Sequence, residues 1–294
     1  MRFWKREVMN ARTSKWERKS NPPRLILQPR DKAIIMALYA FRYLTRQQLQ
    51  RLFAWRCTRR INMRLRKLYD HHYVSRTFLP TLRGSGKAVY YLGRRGMPIA
   101  AGESDTDIAE VKSAAKHASR LKALFLTHSL EINSVRITMS QAICNNPQMS
   151  LETWLNETEC EQEYAVRAAG KQIIRRFKPD AYFRVWYRQK LHSFFLELDR
   201  STMSLDRFKT KTLSYLYFAD SSLYARRFGV RYFRVLVVTL GPQRLSHLKS
   251  TVETVADKIF WFTTLERITA DKAFGPIWQR AGRRGLFPLL PPGE

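Results

Sequence analysis

Acidic residues are scarce in this sequence. Only 24 Asp and Glu stand against 53 Lys and Arg among 294 residues, a formal net charge of +29. Folding gains nothing from such self-repulsion, so the imbalance points to a polyanionic partner: DNA, RNA or an anionic membrane surface. Long apolar runs are also missing. No stretch reaches the roughly 18 apolar residues of a bilayer-spanning helix, and no apolar segment of a secretory signal follows Lys5 and Arg6. Cysteine is rare. Cys57, Cys144 and Cys160 form no Cys-x-x-Cys pair and have no paired histidine, which excludes a disulfide framework and a zinc site and fits a reducing cytoplasm. No glycine-rich phosphate loop follows a strand pattern, so ATP use is unsupported. Nor does a tyrosine cluster with a histidine-rich metal triad appear, which counts against a relaxase of the HUH type. What is present is core material: 45% of residues are hydrophobic and 13% aromatic, so disorder is not the expectation.

The positive charge is unevenly spread. Residues 1–100 hold 24 Lys and Arg against 4 Asp and Glu, while the remaining 194 residues hold 29 against 20. The polyanion-facing surface is therefore expected in the first third. Residues 1–23, basic and broken by Asn21-Pro22-Pro23, read as a loosely ordered arm, and a DNA-binding domain is expected over 24–100. The polar run Ala101-Gly102-Glu103-Ser104-Asp105 reads as a linker. An α/β domain over 111–265 and a tail over 266–294, with a frayed Pro-rich end, complete the expectation.

Three helices are predicted between Asp31 and Asp70. The first carries Ile34, Leu38 and Phe41 at helical spacing. The second opens on Thr45 with Gln48 three residues later, a capping-box pattern, and buries Leu49, Leu52 and Phe53. The third, about Cys57 to Tyr69, gathers Ile61, Leu65 and Leu68 in one sector. Opposite them stand Arg59, Met63 and Arg66, flanked by Thr58, Arg60, Asn62 and Lys67. Arg suits guanine edges, Asn pairs with adenine, and the other cations hold phosphates, as a helix in the major groove requires. Strands at Tyr73–Phe78 and Val89–Leu92 enclose the turn Leu82-Arg83-Gly84-Ser85-Gly86-Lys87. A hairpin directly after such a helix reads as the wing of a winged helix-turn-helix, with Arg83 and Lys87 touching backbone. Arg56, Arg64 and Arg94 lie on the flanks as further phosphate contacts. A solvated cationic bundle is the plain alternative, but the order of capped helix, polarised helix and basic hairpin favours duplex DNA. Adjacent His71 and His72 diverge and lack a third ligand, so no metal is expected there.

Further on, Lys116–Ile143 reads as one long helix, in which His128 is expected to be an interior hydrogen-bonded residue. Strands follow near Leu151–Leu155, at Phe177–Val185 through Pro179-Asp180, and at Ser193–Asp199. A helix over about Leu205–Ala219, a strand at Tyr232–Val238 and a helix over about Leu245–Phe262 complete the pattern. Strand alternation puts Phe195, Glu197 and Asp199 on one face, with Phe194, Leu196 and Leu198 on the other. Asp180 then lies beside Glu197 across the ladder. Glu157, Glu159, Glu161 and Glu163 read as a solvated turn.

This order of elements resembles the PD-(D/E)XK nuclease superfamily. The resemblance implies a restriction-endonuclease-like α/β fold after the winged helix, an α+β or α/β chain overall. It also implies Asp180 and Glu197 as ligands of a magnesium ion, with a lysine acting on the attacking water. The sequence departs from the motif where Asp199 occupies the lysine position. Lys209 or Lys211 would supply the cation instead: Lys209 falls near the sheet-facing side of its helix, with Leu205, Phe208, Thr212 and Leu216, and Lys211 on the opposite shoulder. In the plain alternative, Pro179-Asp180 is turn chemistry and Asp199 caps the next helix.

Taken together, the halves resemble the plasmid replication-relaxation family. Tyr43-Leu44-Thr45 with Gln48-Leu49, Val89-Tyr90-Tyr91-Leu92 with Gly96, and His128 carry the resemblance in the first part. Pro179-Asp180-Ala181, Glu197-Leu198-Asp199-Arg200-Ser201-Thr202 and Lys211 followed four residues later by Tyr215 carry it in the second. It implies a role in replication or DNA processing of a plasmid or mobile element, with double-stranded DNA as partner. A homodimer and replication or mobilisation proteins are further partners this reading admits. Two alternatives stand beside it: a magnesium-dependent endonuclease or nickase, and a winged-helix transcriptional regulator. A cytoplasmic, DNA-associated protein with no membrane partner is expected, and magnesium is the cofactor only if the acidic site is catalytic.

Overall fold

Capping chemistry sets where the first helices begin. The structure, a computed structural model, describes residues 14, 16–81, 86–118, 123–168 and 171–291, and the chain divides into one unit up to Asn133 and another from Ser134. In the first unit, helix α1 (Pro29–Phe41) opens where the Gln28 amide donates to Asp31 Oδ2 at 2.7 Å. Strand β1 (Leu44–Thr45) leads into α2 (Arg46–Leu52), capped as predicted. Gln48 N donates to Thr45 Oγ1 at 3.2 Å, and Thr45 N to Gln48 Oε1 at 2.9 Å. Of its three predicted core residues, Leu49 is buried, while Leu52 and Phe53 are half-buried. Helix α3 (Thr58–Asp70) follows, then β2 (Val74–Phe78) and β3 (Ala88–Leu92), which pair antiparallel. β1 pairs with the other edge of β3, giving a three-stranded sheet in the order β1-β3-β2.

Two helices that polarity had disguised come next. Residues Ala101–Ser104, expected as a linker, are the last turns of α4 (Gly96–Ser104). Ala100 and Ala101 are buried with Ile35, Leu92 and Val111, so the small apolar side chains decide the conformation over Gly102 and Glu103. Gly96 has to be glycine, because a Cβ there would lie 2.4 Å from the Tyr73 carbonyl oxygen. The helix expected over Lys116–Ile143 begins earlier and is described in two parts, α5 (Ile108–Ala118) and α6 (Ala123–Cys144); residues 119–122 lie outside the described residues. α6 is anchored by Gln48 Nε2 donating to the Leu130 carbonyl at 2.6 Å and by Asn133 Nδ2 donating to those of Phe41 and Tyr43 at 3.0 and 2.7 Å. Among the described residues no helix is long and apolar enough to cross a membrane.

The second unit is built on a seven-stranded mixed sheet. Its strands are β4 (Met149–Asn156), β7 (Ala181–Tyr187), β8 (Lys190–Asp199), β9 (Arg234–Thr239), β10 (Phe260–Thr264), β11 (Pro276–Arg280) and β12 (Phe287–Pro288), in spatial order β12-β11-β10-β9-β8-β7-β4. β8, β9 and β10 run parallel; the other neighbours are antiparallel. A short α7 (Glu157–Cys160) and a two-stranded ribbon, β5 (Gln162–Ala168) with β6 (Lys171–Phe177), stand between β4 and β7. Of the acidic stretch expected as a solvated turn, Glu157 and Glu159 lie in α7, Glu161 between the two elements and Glu163 in β5. Helices α8 (Leu205–Asp220) and α9 (Ser222–Phe228) connect β8 to β9, and α10 (Pro242–Glu253) connects β9 to β10. Phe208, Tyr215 and Phe218 of α8 and Leu245, Leu248 and Val252 of α10 share one core with Phe195, Val235, Val237, Phe260 and Phe262 of the sheet.

The end of the chain corrects two expectations. Phe260-Trp261-Phe262, expected as the close of a helix, is strand β10, where aromatic side chains are buried on both faces of a central ladder. Nor is 266–294 a tail: β11 and β12 extend the sheet, and Leu289 and Leu290 are buried. Proline is tolerated there because β12 is an edge strand.

Candidate functional site

Helix α3 turns one face to its own core and another to solvent. Ile61, Leu65 and Leu68 are buried, as their spacing predicts. Thr58, Arg59, Arg60, Asn62, Met63 and Lys67 are exposed, and Arg59, Arg60 and Lys67 have no ion pair among the described residues. The exposed Met63 (52%) continues this surface. Near the N-terminal end of α3, Arg30, Trp55, Arg56, Cys57 and Arg60 help line a cavity of about 310 Å³. On the hairpin Lys87 is exposed, its carbonyl accepting from Leu79 N at 3.1 Å, while Arg83 lies outside the described residues. Arg56 and Arg94 are exposed as well.

Two of the expected contacts are turned inward. Arg66 Nε donates to Asp70 Oδ2 at 2.9 Å, and its other nitrogens donate to the carbonyls of Ser14 and Glu17 at 3.2 and 3.0 Å. Asp70, buried one helical turn later, draws the guanidinium off the open face. Arg64 likewise pairs with Asp31, which is fully buried, and donates to the Ile26 carbonyl at 2.9 Å. These contacts also correct the reading of the arm: its described residues from Ser14 to Pro23 run along α3 and β2. Tyr69 Oη donates to the Trp16 carbonyl at 3.1 Å, Lys19 N to Asp70 Oδ1 at 3.2 Å, and Arg18 and Arg76 stack 3.8 and 4.0 Å from the Tyr69 ring centre. The pairing Arg66-x-x-x-Asp70 was a readable signal for this; the Asp31–Arg64 pair, 33 residues apart, had none.

In the second unit β7 and β8 bring the predicted carboxylates together. The register Ala181↔Leu196 continues to Asp180 beside Glu197, where Leu198 N donates to Asp180 Oδ2 at 2.7 Å. Glu197 is buried on the face that α8 covers. Its Oε2 accepts from Lys211 Nζ at 2.5 Å and its Oε1 from Tyr215 Oη at 2.5 Å. Burial lifts its pKa from 4.5 to about 7, opposed first by the Lys211 charge and reinforced by Asp180. Lys211 is held above its ordinary range by Glu197 and Asp180 despite burial, and Tyr215 is pushed up by burial and the adjacent carboxylate. Lys211, and not Lys209, therefore meets the acid. Positions 211 and 215 are one helical turn apart on α8, and Tyr215 faces the sheet core; the long lysine stem reaches round from the shoulder. Asp199 is taken by a residue that sequence reasoning missed. Arg244 of α10 donates to both its oxygens at 2.7 and 3.0 Å, and Ser201 N donates to Oδ1 at 2.8 Å. Asp199 thus closes a turn before α8, whose cap is Ser204.

A family model described as replication-relaxation matches residues 35–231, which run from within α1 to just beyond α9. The chain belongs to the replication-relaxation family. Neither the curated proteins nor the solved structures compared with the chain give a match. Membership supports a role in replication or DNA processing of a plasmid or mobile element, and it covers both the α3 surface and the Asp180–Glu197–Lys211 cluster of this replication-relaxation protein.

The cluster does not fit a magnesium ion as arranged. Magnesium binds through carboxylate oxygens and retained waters in near-octahedral geometry. Of the two expected ligands, Glu197 accepts on both oxygens from Lys211 and Tyr215, and Asp180 Oδ2 accepts from Leu198 N; both oxygens of Asp199 accept from Arg244. Among the described residues no group of three His, Cys, Asp or Glu is placed to hold a metal. An ammonium stands against Glu197 where a dication would need to bind.

Proposed function

We propose that this protein binds duplex DNA through its N-terminal unit, a winged helix, and acts in replication or processing of a plasmid or mobile element. In this reading α3 enters the major groove and the β2–β3 hairpin lies alongside as the wing. The observation that carries it is the exposed face of α3. Thr58, Arg59, Arg60, Asn62, Met63 and Lys67 form a surface without acids on a helix whose other face is core, followed at once by a hairpin with exposed Lys87. Arg66 and Arg64 are withdrawn from the DNA-facing surface, because their guanidinium groups already serve buried aspartates.

The second unit supports the same reading as a nuclease-like fold in which the acidic site is a structural lock. Mixed strands β7–β8–β9 with α8 between β8 and β9 are compatible with the restriction-endonuclease-like arrangement. Carboxylates already engaged by Lys211, Tyr215 and Arg244 favour retention of the fold for binding over strand cleavage.

Fluorescence anisotropy on fragments of the native replicon, over a salt series, tests the proposal. Arg59→Ala with Arg60→Ala is expected to weaken binding and to flatten the salt slope by about 1 for each phosphate that is no longer neutralised. Asn62→Ala is expected to relax base preference more than overall affinity. Unchanged affinity and slope in the double variant would overturn the assignment of α3.

A further inference from the structure

The sheet face opposite Glu197 carries two arginines that have no counter-charge among the described residues. Register puts Arg234 of β9 beside Phe194 of β8 and Arg280 of β11 beside Trp261 of β10. The Arg234 guanidinium lies 5.3 Å from the Trp261 ring centre and 5.7 Å from that of Phe194. Arg280 lies 4.8 Å from Trp261 and 5.4 Å from Phe287. Both arginines are half-buried, and neither has an ion pair among the described residues. The neighbours that act on them are cations. Burial lowers the Arg234 pKa and Arg280 lowers it further; His192 is lowered by burial, then by Arg234 and Lys190. His192 Nε2 is itself buried and has no hydrogen-bond partner.

Such an arrangement is unfavourable for folding alone. A desolvated guanidinium without a carboxylate, set near a second one, opposes the packed state. Aromatic rings recover part of the loss by cation–π contact, but they leave the outer N–H donors unused. An anion with several acceptor oxygens removes the repulsion and fills those donors, and guanidinium geometry matches phosphate.

We propose that Arg234 and Arg280, bordered by His192 on β8, form a phosphate-binding site, whose ligand is a phosphate group of a nucleic-acid strand, internal or 5′-terminal. The site belongs wholly to the second unit and does not depend on the α3 surface.

Thermal unfolding of the full chain in inorganic phosphate, against chloride at matched ionic strength, is the first test. The expected result is a saturable rise in Tm of roughly 2–4 °C that is lost in Arg234→Gln and in Arg280→Gln. In chloride both variants are expected to unfold no earlier than the parent, because a like-charge repulsion is gone. Arg280→Gln, at the strand end, serves if Arg234→Gln fails to fold. No phosphate effect in the parent, or an undiminished effect in the variants, overturns the site. Anisotropy with otherwise identical 5′-phosphorylated and unphosphorylated oligonucleotides then separates the sources. Weaker binding of both to the variants assigns an internal phosphate, and weaker binding of the phosphorylated one alone a terminal phosphate. No weakening of either overturns the nucleic-acid ligand. Substituting Arg59 and Arg60 leaves the phosphate effect intact, so failure of the α3 reading is read separately.

Discussion

Replacing Lys211 with methionine keeps the aliphatic stem on α8 and removes the one full charge that opposes Glu197. Glu197 is 4% exposed and accepts from Lys211 and Tyr215, each at 2.5 Å. Its rise from 4.5 to about 7 corresponds to ~3 kcal/mol of opposition to ionisation. Because the folded value lies above the unfolded one, the folded chain holds this proton between 4.5 and about 7 while the unfolded chain has released it. The contribution of Glu197 to stability is thus greatest at the acid end, falls as pH rises through that window, and is level above it. Without Lys211 the carboxyl group is pushed further up. At about pH 8 the Lys211→Met variant is expected to lose about 2–4 kcal/mol: the lost hydrogen bond, and up to about 1.4 kcal/mol more for a carboxyl that must now keep its proton where the parent's is ionised. That is on the order of 10 °C in Tm. At about pH 5.5, where the carboxyl is protonated in both proteins, the loss is expected to shrink to about 1–2 kcal/mol. Urea denaturation at both pH values, with Glu197→Gln and the double variant completing a cycle, measures the coupling. Equal losses at the two pH values would refute the account of a charge lock.

Arg66→Ala is expected to act on stability and not on base preference. It leaves buried Asp70 without its guanidinium and frees the chain near Ser14–Glu17, for about 1–3 kcal/mol in thermal or urea unfolding. Gly96→Ala places a methyl against the Tyr73 carbonyl and is expected to cost about 1–3 kcal/mol by the same assays. Supercoiled plasmid incubated with the protein and Mg²⁺ or Mn²⁺ is expected to remain unnicked, since the oxygens of Glu197 and Asp199 are already engaged. Nicked product from the parent that vanishes in Asp180→Ala and Glu197→Ala would overturn this.

Local rules carried the sequence a long way. The Thr45–Gln48 cap, the stripe Ile61-Leu65-Leu68, the strands around the glycine turn and the Asp180–Glu197 adjacency each depend on residues close in the chain or on strand alternation, and each stands in the structure. Composition likewise raised the expectation of a polyanionic partner before any geometry was known.

Which charges are free, and which are spent, was decided only by tertiary packing. A helical wheel puts Asp70 one turn from Arg66 but does not show that Asp70 is buried or that carbonyls of the arm wait beside the guanidinium. It puts Lys211 on a shoulder, yet the depth of Glu197 beneath α8 makes that lysine the nearest counter-charge. Arg244 reaches Asp199 from 45 residues away, and β10–β12 join the sheet through ladders that no local period encodes. The physical reason is common to all of them. Periodicity fixes which way a side chain points, whereas the energy of a charge depends on what the fold brings within a few ångströms of it and how much water it removes.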